Sequence, residues 1–201
     1  MEKSNQNSLL NLARSRGIIT ARDAANIGIH SQVLTRLVHQ GNLKRITRGQ
    51  YCLPKHPVTE NHTLAIVARA FPGGVICLLS VLSFHGIGTQ LPSEVWLAVD
   101  RYAWRPSQQY SPLRVVYFSG EAFTAGIEVH RLEGQPVRMY SIAKTLADLF
   151  KYRNKVGLDV ALEALREAWK ERRLTMDELD HYARICRVQH VMTPYLEALV
   201  S

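Results

Sequence analysis

Along the first fifty residues, apolar positions recur at helical spacing in short bursts broken by glycine. Leu9, Leu10, Leu12 and Ala13 predict a helix that Ser4 caps and that Gly17 stops after Arg14 and Arg16. Ile18 and Ile19 read as a short apolar link. Thr20 and Asp23 stand at capping-box spacing and open a short helix that Gly28 ends. Ile29 and His30 make a turn, Ser31 caps the next helix, and Gly41 terminates it. Leu43–Ile46 and Gln50–Leu53 have strand character, joined through Thr47-Arg48-Gly49 with Gly49 where positive φ is needed. Helix, helix, short turn, helix and β-hairpin is the order of a winged helix-turn-helix.

The pattern changes after Pro54–Glu60. A helix through Leu64, Ala65, Val67, Ala68 and Phe71 stops at Pro72-Gly73-Gly74, and a buried apolar run follows at Val75–Leu79. Ser80–His85 is helical up to Gly86. Strands are predicted at Val95–Val99, Leu113–Phe118, Ile127–Leu132 and Val137–Tyr140. From Ser141 the chain reads as four helices, roughly 141–153, 157–171, 176–187 and 190–200, with a capping box at Thr175-x-x-Glu178. The fold class is α+β: an N-terminal winged helix-turn-helix, then a domain with a mixed or antiparallel sheet and a C-terminal helical block. The two prolines of the connector place the boundary so that residues 1–56 form a module that folds by itself and 57–201 form the body.

Length and composition narrow the class. With 201 residues, 46% apolar and 21% charged, the chain can bury a sizeable core without disulfides or metal. The three cysteines, Cys52, Cys77 and Cys186, are far apart, odd in number and without C-x-x-C spacing, which fits a reducing compartment. The Leu9–Leu12 cluster is too short for a signal peptide, and no apolar run approaches the ~20 residues of a membrane span. A cytoplasmic protein with no membrane partner is expected.

Charge is informative once it is located. The 25 basic and 17 acidic residues give +8 overall. Residues 1–56 hold nine bases and two acids, or +7, whereas 57–201 hold sixteen and fifteen, or +1. Excess charge confined to one small segment points to a polyanion-binding module, here double-stranded DNA. On the helix after Ser31, Val33, Leu34, Leu37 and Val38 form the packing face. Gln32, Thr35, Arg36 and His39 occupy i, i+3, i+4 and i+7 on the other face. Those side chains suit base edges in a major groove: Arg toward guanine, Gln toward adenine, Thr toward phosphate or a thymine methyl. Ser31 can offer its hydroxyl and nearby N–H groups to a phosphate. The hairpin adds Lys44, Arg45 and Arg48 for the sugar-phosphate backbone. Arg48 is nearest the tip and the best minor-groove candidate; Arg45 could instead be salt-bridged within the module.

The run LLNLARSRGIITARDAANIGIHSQVLTRLVHQGNLKRITRGQYCLP resembles the N-terminal winged-helix module of AbiEi-type antitoxins. Its L-x-R … G-x-Y wing pattern is met by Leu43-Lys44-Arg45 and Gly49-Gln50-Tyr51. The likeness continues through Val75–Gly88, where Leu79–Gly86 carries it, and through Val137–Ser141, Thr145–Leu149, Ala161–Leu165 and Tyr195-Leu196. It implies an autorepressor that binds inverted repeats in its own promoter, as the antitoxin of a type IV toxin–antitoxin (abortive infection, phage defence) system. Its C-terminal domain is implied to neutralise a nucleotidyltransferase-like toxin. The alternative is a stand-alone winged-helix transcription factor whose body senses a ligand or dimerises.

Enzyme signatures are missing from the body: G-x-S-x-G, the P-loop, H-E-x-x-H and paired metal-ligand spacings do not occur. Glu94 and Asp100 flank a strand without the Lys that a metal-dependent nuclease needs. His85 reads as a helix-end or core histidine, and Asp148 as a partner of Lys144, Lys151 or Arg153. No catalytic residue, cofactor or metal is therefore expected. Residues 101–155 carry nine bases against four acids, and Arg101, Tyr102, Trp104, Arg105 and Tyr110 form a basic-aromatic stretch. Arg101, Trp104 and Arg105 are a candidate partner or accessory nucleic-acid surface. Residues 156–201, at −2, suit a protein partner instead.

Overall fold

A computed structural model describes residues 2–56, 59–103 and 112–200. They divide into two compact units. One takes in the residues up to Ala70 together with Arg131–Val137; the other holds the remainder.

In the first unit, α1 (Glu2–Arg16), α2 (Ala21–Asn26) and α3 (Gln32–His39) stand with a sheet of β1 (Ile18–Thr20), β2 (Lys44–Thr47) and β3 (Gln50–Cys52). The helix α1 begins at Glu2, so Ser4 lies inside it rather than at its cap. Gly17 closes the helix as expected, with φ at +74° and its N–H on Ala13 O. Ile18-Ile19 is not a link but a strand. It pairs antiparallel with β3, which also pairs with β2, so the order is β1-β3-β2. Strand side chains alternate faces, and that alternation splits the core. Ile19 points into a cluster with Leu9, Ala13, Ala24, Ile29, Leu34, Leu37 and Leu43. Ile18 points the other way, onto Ala65 and Ile66 of α4 (His62–Ala70), with Ile46 and Leu132 beside them. A sheet buried on both faces needs two covers, and helices α1–α3 supply only one. Hence the compact unit is larger than residues 1–56: α4 and residues 131–137 close its second face.

In the second unit, β4 (Val75–Ile76), β5 (Val95–Asp100) and β6 (Leu113–Phe118) join β7 (Ile127–Leu132) and β8 (Gln135–Tyr140) in the order β6-β5-β4-β8-β7. The pairing is antiparallel for β4–β5 and parallel for β5–β6 and β4–β8, a mixed sheet. The outer ends of β7 and β8 belong to the first unit. Helices α5 (Leu79–His85), α6 (Glu121–Thr124), α7 (Ile142–Lys151), α8 (Arg153–Val156), α9 (Leu158–Lys170), α10 (Met176–Cys186) and α11 (Gln189–Val200) complete it. One large core runs from Val75 to Met192. Its centre is α7, buried throughout Ala143–Phe150 and packed on α5, α9 and α10. Thr175 and Glu178 form the expected capping box on α10.

Candidate nucleic-acid interface

The helix α3 shows how a 3.6-residue period sorts its side chains. Leu34 and Leu37 are wholly buried, Val33 and Val38 half-buried, and Ser31, Gln32, Thr35, Arg36 and His39 exposed. Five polar side chains thus share one solvent-facing side, as the sequence predicts. Arg36 and His39 sit in the last turn, where the helix dipole favours positive charge. Ser31 does not cap the helix. Its backbone is already helical (φ −57°, ψ −22°), and a capping hydroxyl needs an extended residue to reach back. His30 Nδ1 instead accepts from Gln32 N–H at 3.2 Å.

On the wing, Lys44 lies opposite Cys52 and Arg45 opposite Tyr51, with a bulge between Arg45 and Thr47. Lys44, Arg45 and Arg48 are exposed, and Gly49 turns the chain at φ +78°. Arg45 Nε donates to Thr47 O at 3.3 Å, so its structural tie is a backbone hydrogen bond across the bulge. On β3 the buried Gln50 donates from Nε2 to Ile66 O of α4 at 3.2 Å.

Two buried carboxylates support this framework. Asp23 takes both halves of the capping box with Thr20, Oδ1 accepts from Arg16 at 3.0 Å, and Oδ2 is bound by Arg69 of α4. Burial pushes its carboxyl up, but the bonds from Arg69 and Thr20 outweigh it and hold it below the ordinary 3.8. Glu133, its side chain 1% exposed, accepts from Thr59 N–H and Oγ–H at 2.8 and 2.9 Å. His62 Nδ1 lies 2.7 Å and His56 Nε2 3.2 Å from its Oε2. Here too burial pushes upward and is outweighed by the Thr59 and His62 bonds, so the group lies below the ordinary 4.5. The sequence marks Asp23 through its capping box. It gives no sign of Arg69 or Glu133, because Glu133-Gly134-Gln135 has the composition of any solvated hairpin turn.

The body offers less chemistry. Arg101 is exposed beyond β5 and Tyr102 is 89% exposed, with its N–H on Asp100 Oδ1 at 2.8 Å. Trp104, Arg105 and Tyr110 lie outside the described residues. Asp148 takes Lys144 as its partner, Nζ to Oδ2 2.5 Å, both fully buried. Lys144 also stands over the rings of Tyr140 and Phe118, and Cys186 Sγ lies 3.2 Å from Asp148 Oδ1. Burial raises the Asp148 carboxyl and lifts the Cys186 thiol to about 12. His85 accepts from Arg173 through its carbonyl at 2.7 Å and stacks edge-on with Phe84 and His130. No three metal-ligating side chains converge among the described residues, and no described helix is long and apolar enough to cross a membrane.

A three-helix array with a three-stranded sheet, an exposed polar and cationic face on its third helix and three bases on its hairpin defines a winged helix-turn-helix, a DNA-binding class. Residues 7–54 match the model of a family of transcriptional regulators, the AbiEi antitoxins. In three dimensions the chain is similar to the RV2827C protein of Mycobacterium tuberculosis, at 13% identity and a TM-score of 0.59 over 89% of this chain and 71% of that one. That likeness concerns the fold alone. No curated protein compared with the chain matches it.

Proposed function

We propose that the chain is a sequence-specific autorepressor that also serves as the antitoxin of a type IV toxin–antitoxin system. In this reading α3 enters the major groove of an operator. Gln32, Thr35, Arg36 and His39 meet base edges, and Ser31 meets a phosphate. Lys44, Arg45 and Arg48 lie along the sugar-phosphate backbone. The DNA contacts fall within residues 1–56, and the toxin-neutralising function within 57–201, acting in the cytoplasm on a nucleotidyltransferase-like toxin. Arg101, with Trp104 and Arg105, is the partner surface. The body works by binding rather than catalysis. The observation that carries the DNA half is the solvent-facing row of Gln32, Thr35, Arg36 and His39 within a segment of net charge +7.

The test titrates the full chain into labelled DNA from upstream of its own gene and into random duplex, across salt concentrations. A steep salt slope, about 0.9 per phosphate contacted, with tighter binding to the upstream fragment supports operator recognition. Equal affinity for both duplexes sinks it. The antitoxin half is read by growth rescue, with a neighbouring nucleotidyltransferase-like gene induced in the presence and absence of the chain. If growth stays arrested, the chain is a transcription factor of another kind.

A further inference from the structure

The second face of the winged helix is closed by a segment far away in sequence. Gly17 and Gly134 bring two backbones into contact: a Cβ on Gly17 would lie 2.2 Å from Glu133 O, and one on Gly134 would lie 2.8 Å from Arg16 O. Both glycines hold positive φ, +74° and +78°, so no other residue fits the crossing without strain. Beside it Gln135, 2% exposed, donates from Nε2 to Ile18 O at 3.2 Å and to Arg16 O. Those carbonyls stand at the junction of α1 and β1, which fixes how the helices meet the sheet. Glu133 takes hold of the chain beyond the wing through His56, Thr59 and His62, residues 71 to 77 positions away. Leu132 adds an apolar contact to Ile18, Ala65 and Ile66.

We infer that the DNA-binding unit is discontinuous, and that Glu133 and Gln135 are positioning residues that set the junction of α1 and β1 and the strap behind the wing. The inference rests on the DNA-binding reading. The buried Glu133 carboxylate accepts two hydrogen bonds from Thr59 and lies against two histidine ring nitrogens, so deleting it leaves those groups without their partner and releases the strap rather than trimming it. Neither residue touches DNA. Each acts through the geometry of β1 and β3, and so on the placement of α3 and the wing.

The experiment compares the full chain with its Glu133→Ala, Glu133→Gln and Gln135→Ala variants. Amide hydrogen exchange is read segment by segment, beside affinity for the upstream fragment and for random duplex. In the alanine variants, protection at residues 11–20 and 62–69 should fall about tenfold or more while α7 and α10 stay unchanged. Upstream-fragment affinity should fall by about tenfold, and random-duplex affinity by less, because base reading depends most on placement. Glu133→Gln retains an acceptor for Thr59 and a donor for a histidine ring nitrogen, so it should recover affinity to within about threefold of wild type. Unchanged protection overturns the clamp. Lost protection with undiminished DNA discrimination overturns the positioning role. Should wild type bind no DNA, the DNA-binding reading fails, and the exchange data alone decide the clamp. Should Glu133→Ala not fold, Thr59→Val removes one donor from an exposed residue. A smaller, measurable loss of protection at 62–69 is then expected, and its absence overturns the inference.

Discussion

The two units handle buried charge in opposite ways. The first has a core divided by β1 into two small clusters, and its buried polar groups Asp23, Gln50 and Gln135 join separate segments of the chain. Glu133 does the same. The second has one large core and, among the described residues, one ion pair buried in it, Lys144–Asp148, set one turn apart on the same helix. A small unit whose core is split in two gains its register from polar links between distant segments. A large core fixes its own register, and the pair within α7 only neutralises two charges that would be ruinous alone. The lesson is that a buried carboxylate means different things by the sequence distance of its partner.

The largest effect should come from the second unit. Lys144→Ala strips Asp148 of its ion-pair partner in a dry core, at a cost of about 3–5 kcal/mol in urea denaturation. The double change Lys144→Met with Asp148→Leu should recover most of that loss, since both groups are replaced by apolar volume. A single-variant cost under about 1 kcal/mol would break the contrast with the first unit.

Next in size is Arg36→Ala on the exposed side of α3. It should cost about 1–3 kcal/mol on the upstream fragment and relax preference at one base pair, with little change on random duplex. Equal losses on both duplexes would make Arg36 a phosphate contact. Arg48→Ala on the wing should be smaller and uniform across sequences, lowering the salt slope by about 0.9. An added loss on A·T-rich sites alone would place Arg48 in a minor groove.

The smallest effect is graded with pH. Asp23 and Glu133 are held below their ordinary values, so the stability they give is present above about pH 4–5 and lost as pH falls through their folded values. Asp148 is shifted upward by burial; a raised carboxyl adds stability at low pH and loses it as pH rises. Segmental hydrogen exchange, corrected for intrinsic rates, should therefore show the first unit opening before the second on acidification. The reverse order would refute the assignment of these roles.

Local chemistry determined most of what stands on single elements. The capping boxes at Thr20–Asp23 and Thr175–Glu178, the sided helix at Gln32–His39, the hairpin with Gly49 and the body strands follow from spacing and turn residues alone. So does the concentration of charge in the first fifty-six residues. Tertiary structure decided what depends on a partner remote in sequence. Ile18-Ile19 carries no more strand signal than any apolar pair, and it became a strand because β3 lay beside it. Asp148 could have paired with any of three bases, and burial on the inner side of α7 selected Lys144. Ser31 has a capping side chain, yet the backbone entered the helix one residue earlier than that cap allows. Above all, Glu133-Gly134-Gln135 is locally a turn like many others. Only the return of that turn to Gly17 and the strap at Thr59 made its polar side chains part of the winged helix, because hydrogen bonds across 70 to 120 residues leave no periodicity in the chain.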